Sequence, residues 1–172
     1  NKGKVLSIIS QRRLQTFYDF GGGGIINETY YDADILVSAE KLIKANSWSG
    51  VAQFEYIKDK NGISYLIECN PKFWGTTELT FRAGMNMVNQ YIDILNSKER
   101  NIIDSFEEHL VFKWFFPTIF YSWIQRPYSG LFKRIKKSLT ISSEKVTNNI
   151  NRNDFKHSLG VLIERFLEGK TF

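Results

Sequence analysis

Hydrophobic and polar positions alternate with a period of two on either side of Asn61-Gly62, predicting a hairpin over residues 51–70 whose two strands flank that turn. Asn-Gly is the strongest short-range signal for a two-residue type I′ hairpin turn. With Asn61 and Gly62 at its centre, Lys60 faces Ile63. Counting back along both strands then sets Ile57 opposite Leu66, Glu55 opposite Glu68 and Gln53 opposite Asn70. Before the hairpin, Ile35, Leu36, Ala39, Leu42 and Ile43 recur at helical spacing, so a helix starts at Asp32 or Asp34 and runs to about Ala45. After Gly75, Leu79, Ala83, Met87, Tyr91 and Leu95 form an i, i+4 stripe that Gly84 and Asn86 interrupt. Two pieces are expected: a short helix from about Thr77 and a longer one from Met87 to Asn96. Residues 5–14 read as a further strand, and residues 25–30 as another. Strand, strand, helix, hairpin, helix is an α+β order, with helices on one face of a largely antiparallel sheet and Glu55 and Glu68 facing away into a cleft.

Two opposed carboxylates need a reason. Directly opposed side chains have Cβ atoms about 4.5–5.5 Å apart, and like charges there are destabilising. Coulomb's law gives roughly 4 kcal/mol for unit charges about 4 Å apart at an effective dielectric of about 20, and roughly 1 in water. Two carboxylates and an amide suit a hard cation such as Mg²⁺, which often bridges to substrate phosphates. The alternative is a solvated face on which a longer turn has shifted the register and kept the glutamates apart.

Glu68-Cys69-Asn70-Pro71-Lys72, preceded one strand earlier by Phe54-Glu55, resembles the nucleotide-binding core of ATP-grasp ligases. Biotin carboxylase, the carbamoyl phosphate synthetase large subunit and D-alanine–D-alanine ligase are members, and the first two typify the branch this chain is most like. The resemblance implies that Glu55, Glu68 and Asn70 hold Mg²⁺ (or Mn²⁺) against the phosphates of ATP. It implies a phosphate or acylphosphate contact for Lys72, where arginine is more frequent; lysine keeps the charge without the planar fork. Upstream, residues 4–24 resemble the family's strand carrying an arginine pair followed by a glycine-bearing loop. Arg12 and Arg13 point to opposite faces of a strand, so one of them is the implied active-site arginine, and parity does not choose between them. Gly21–Gly24 lacks the Gly-Lys-Ser/Thr ending of a P-loop and reads as a connector or a close backbone crossing.

The resemblance covers about residues 2–97. It implies the C-terminal half of an ATP-grasp domain at 1–97, followed at 98–172 by an aromatic-rich segment and a basic, mostly helical appendage. The expected activity belongs to a longer parent. It activates a small-molecule carboxylate with Mg-ATP to an acylphosphate and joins it to an amine or similar nucleophile. The N-terminal part of the same enzyme would be the chain's partner, and alone the chain is expected to be inactive. The competing class is a non-catalytic ATP-grasp-like scaffold that contacts a partner through the aromatic segment and basic tail.

Composition changes this picture in few places. The chain of 172 residues is 42% hydrophobic and 15% aromatic, enough for a packed core. Its net charge of +5 is localised: residues 133–172 carry nine Lys and Arg against four Asp and Glu, while residues 1–132 balance. Lys133, Arg134, Lys136 and Lys137 are the densest group, either a solvated helix face or a contact for acidic lipid, nucleic acid or substrate. No nucleic-acid-binding fold accompanies them, so nucleic acid is not expected. The apolar run from Trp114 to Ile124 is eleven residues with Pro117 inside, against about 20 for a membrane span, so it packs on the core or forms an interface. Phe155, Leu159, Leu162, Ile163 and Phe166 predict a last helix, capped by Asn153 or Asp154 and ended by Gly169. Cys69, the single cysteine, takes the covered face of its strand by parity and reads as a small core residue. His109 and His157 fall in no ligand-like pair, and no signal peptide is visible. A cytoplasmic location is the expectation.

Overall fold

A computed structural model describes residues 3–18, 21–98, 102–103, 105–114, 131–141, 145–148, 156, 159–160 and 163. The elements run β1 (Gln11–Tyr18), β2 (Gly21–Thr29), α1 (Ala33–Ala45), β3 (Gln53–Lys58), β4 (Ser64–Asn70), α2 (Thr77–Arg82), α3 (Met87–Leu95), β5 (Leu110–Lys113), α4 (Leu131–Thr140) and β6 (Lys145–Asn148). The fold class is α+β with mostly antiparallel pairing, as expected. The strands nevertheless form two sheets instead of one: β1-β2-β5-β6 and β3-β4. The chain divides into two compact units, Asn1–Gln11 with Thr29–Glu108, and Arg12–Glu28 with His109–Phe172. The boundary near residue 97 follows a change of composition, whereas these units follow strand pairing.

The first unit holds the hairpin and three helices. Asp32 caps α1, its carboxylate accepting from the Ile35 N–H at 3.3 Å. Asn86 caps α3 in the same way through the Asn89 N–H at 3.0 Å. Leu79, Thr80, Ala83 and Met85 are buried around α2, and Ala39 is buried on α1. Helix α1 packs on one face of β3: Tyr56 Oη donates to Ser38 Oγ at 3.1 Å, and Lys58 Nζ reaches Asp32 Oδ2 at 2.5 Å. Glu55 lies on the opposite face by alternation.

The hairpin corrects the turn expected from Asn-Gly. Asp59 N–H donates to the Ile63 carbonyl (2.9 Å) and Gly62 N–H to the Asp59 carbonyl (3.1 Å), so the loop is three residues, Lys60-Asn61-Gly62. Gly62 takes φ 83°, the left-handed position such loops require. Asp59 secures it by accepting from the N–H groups of Asn61 and Ile63. Ile57 therefore faces Tyr65 rather than Leu66. A bulge then falls between Glu55 and Tyr56 in the ladder, where Ile67 is the unmatched residue, and it restores the expected pairs Glu55↔Glu68 and Gln53↔Asn70. Two departures of one residue cancel.

Cys69 is exposed, against the core position expected for it. Helix α1 engages β3, while Leu66 and Cys69 on the corresponding face of β4 stay accessible. Ile57, Ile63, Tyr65 and Ile67 are also exposed, so the ribbon has apolar side chains open on both faces.

In the second unit β2 is a central strand between β1 and β5, and residues Ile25 to Thr29 are all buried. Phe17, Ile25, Ile26 and Val111 form the core, with Leu14, Tyr18 and Ile141 against it. β5 pairs antiparallel with β2 (Asn27↔Phe112) and parallel with β6 (Val111↔Val146), the latter joined by a crossover that contains α4. The first strand begins at Gln11, later than the expected 5–14; Ser7 makes only an isolated bridge to Ile103, and the Gln11 side chain bonds Thr76 and Thr80. Gly21–Gly24 form the first half of β2 instead of a connector. At Gly24 a Cβ would fall 2.1 Å from Asn27 Oδ1, which accounts for one glycine of the run. The segment expected to be mostly helical thus also supplies two strands. Lys156, Leu159, Gly160 and Ile163 are helical, while Phe155, Leu162, Phe166, the caps of that helix, His157 and the aromatic residues 115–130 lie outside the described residues.

Candidate functional site

Alternation along β3 and β4 puts Gln53, Glu55, Glu68 and Asn70 on one face of the ribbon, as two directly opposed pairs. Gln53 Nε2 donates to Glu55 Oε1 at 3.1 Å, and Asn70 Nδ2 donates to Glu68 Oε1. Each carboxylate is steadied by the amide two positions along its own strand. Glu55 is half-buried and Glu68 exposed, so the face is open on the β4 side. The donor set is carboxylate and amide oxygen, the chemistry of a hard cation. Among the described residues no group of three or more His, Cys, Asp or Glu is placed to hold a metal. The two glutamates and their amides do not by themselves form an all-protein cage.

Lys72 is exposed just beyond β4. The next residue, Phe73, packs edge-on against Tyr91 of α3 (5.9 Å between ring centres, 80°), which ties the segment carrying Lys72 between β4 and α3. Arg12 and Arg13 belong to the second unit, adjacent in β1 on opposite faces. Thus Glu55, Glu68 and Asn70 come together on one ribbon with Lys72 close in sequence, and the arginine pair is part of another compact body.

That second unit holds a cluster absent from the sequence-level expectations. Glu28, 6% exposed, accepts from Arg12 Nε at 2.6 Å through Oε2 and faces His109 Nδ1 at 2.9 Å through Oε1. Burial works to raise the Glu28 carboxyl, and the hydrogen bonds to Arg12 and His109 outweigh it and hold it below the ordinary carboxylate value. His109 sits at φ 59°, an uncommon conformation for a non-glycine residue. A hairpin reading of residues 11–29 would have brought Arg12 within reach of Glu28. Nothing local announces His109, which is 81 positions away.

No protein-family model, no curated protein and no solved structure matches the chain.

Proposed function

We propose that the hairpin face is the divalent-cation and nucleotide site of an ATP-grasp-type ligase, with Glu55, Glu68 and Asn70 as the ligands. The observation that carries this is the register: Glu55 lies directly across from Glu68, and Gln53 across from Asn70. Like charges in that position repel, and a cation between them turns the cost into binding free energy. A bound Mg²⁺ offsets phosphate charge and orients the nucleotide for phosphoryl transfer to a carboxylate. Gln53 and Asn70 aim the carboxylates, and Lys72 adds positive charge for a phosphate or acylphosphate. In the resembled ligases a strand arginine has the corresponding role, which the resemblance implies for Arg12 or Arg13. The carboxylate and its nucleophile are small molecules, selected by residues that vary among such ligases.

Calorimetric titration of ADP, in Mg²⁺ and then in EDTA, tests this. Binding that requires Mg²⁺ and is lost in Glu55→Gln/Glu68→Gln is the expected outcome. Nucleotide binding indifferent to the metal and to both glutamates, or no binding at all, would overturn it.

A further inference from the structure

Helix α4 buries two polar side chains and exposes two apolar ones. Its sequence, LFKRIKKSLT, has four basic residues and no acidic one. In an ordinary surface helix the apolar stripe faces the core. Among the side chains described on α4, Arg134 and Ser138 are the buried ones, at 6% and 1% exposure, Ile135 is half-buried, and Phe132 and Leu139 are 85% and 60% exposed. Polar bonds fix that orientation. Arg134 Nη2 donates to the carbonyls of Thr16 (3.0 Å) and Phe17 (2.6 Å), and Ser138 Oγ donates to Gln15 Oε1 at 2.9 Å. From β5, Lys113 Nζ donates to the Ser138 carbonyl at 2.9 Å. The helix is therefore pinned to its own unit by its polar side and presents the other.

Phe132, Lys136 and Leu139 form an i, i+4, i+7 row, and Lys133 and Lys137 form the row beside it. All three lysines are exposed. From this geometry we infer that α4 docks flat on an anionic lipid bilayer, Phe132 and Leu139 entering the headgroup–acyl boundary and Lys133, Lys136 and Lys137 meeting lipid phosphates. Charge complementarity selects the partner: an amphipathic helix with lysines beside aromatic and leucine side chains matches an acidic membrane surface. Duplex DNA would satisfy the lysines but offers Leu139 no apolar medium. No helix among the described residues is long and apolar enough to cross a membrane, so the contact is with the surface.

Co-sedimentation with vesicles of phosphatidylcholine, and of phosphatidylcholine mixed with phosphatidylserine, tests the proposal, with a fluorescent DNA duplex titrated in parallel. The chain should bind only the phosphatidylserine vesicles and release them in high salt. Replacing Lys133, Lys136 and Lys137 by Gln should weaken partitioning roughly five-fold per lysine, about 100-fold together. Phe132→Ser/Leu139→Ser should also release the vesicles; both side chains are exposed, so its far-UV circular dichroism should stay wild-type. An environment-sensitive dye on Phe132→Cys, in a Cys69→Ser background, should shift to the blue on binding. Vesicle binding untouched by the Phe132/Leu139 substitutions, no vesicle binding, or tighter binding to DNA than to phosphatidylserine vesicles would each overturn the inference.

Discussion

Asp32 does two jobs, and two substitutions separate them. Its Oδ1 caps α1 through the Ile35 N–H and its Oδ2 pairs with Lys58 Nζ on β3. Asp32→Ala removes both. Loss of an N-cap acceptor costs about 1 kcal/mol, and Asp32 is 8% exposed, so water replaces the bond poorly. Asp32→Asn keeps a cap of equal rank and removes only the ion pair, whose lysine side chain is 40% exposed; the increment is therefore smaller and screened by salt. The expected order of stability is wild type, then Asn, then Ala. Burial works to raise the Asp32 carboxyl, but the Lys58 and Ile35 bonds hold it below its ordinary 3.8. A lowered carboxyl stabilises the fold above its ordinary value and loses that contribution as pH falls through the folded value. Urea titrations followed by far-UV circular dichroism should thus show wild type and Asp32→Asn converging in acid. Lys58, raised chiefly by its hydrogen bond to Asp32, gives the alkaline limit: the pair's contribution fades as pH rises above 10.5 through the folded value. An Asn variant as unstable as the Ala variant, or a gap between wild type and Asn that persists unchanged in acid, would refute this division of labour.

Three further outcomes follow from the geometry. Gly62→Ala should destabilise the hairpin by about 1 kcal/mol in urea titration, because φ 83° is left-handed and nothing lies within 4 Å of the added Cβ; Gly62→Asn should cost less. Glu28→Gln should cost about 1–2 kcal/mol, below the range for a fully buried pair because Arg12 is 49% exposed. The lowered Glu28 carboxyl makes that loss full above about pH 4.5, so the variant and wild type should start to converge as pH falls below it and meet below the folded value. Cys69 should react fully with Ellman's reagent in the native chain, and protection until denaturant is added would contradict its exposure.

Helices were the most legible part of the chain. Asp32 and Asn86 are local caps, and the periodic stripes behind them needed no knowledge of the fold to place α1, α2 and α3. The hairpin was legible for a less secure reason. Asn61-Gly62 suggested a two-residue turn, the chain uses three, and the bulge at Ile67 returns Glu55 and Glu68 to register. A bulge leaves little trace in a period-two pattern, since one extra apolar residue resembles its neighbours. Gly21–Gly24 misled because glycine reports backbone freedom and not strand membership; pairing on both sides of β2 overrides propensity. Cys69 was misplaced because parity names a face but not what covers it. The Glu28 cluster depends on a contact between residues far apart in sequence, which no periodicity encodes.

The most direct measurement is Mn²⁺ binding by electron paramagnetic resonance, comparing the chain with Glu55→Gln/Glu68→Gln, each with and without ADP. A shared cation site predicts that the wild-type chain depletes the free Mn²⁺ signal, more so with ADP, and that the double variant does not. Equal depletion by both proteins, or none by either, would contradict a cation held between Glu55 and Glu68.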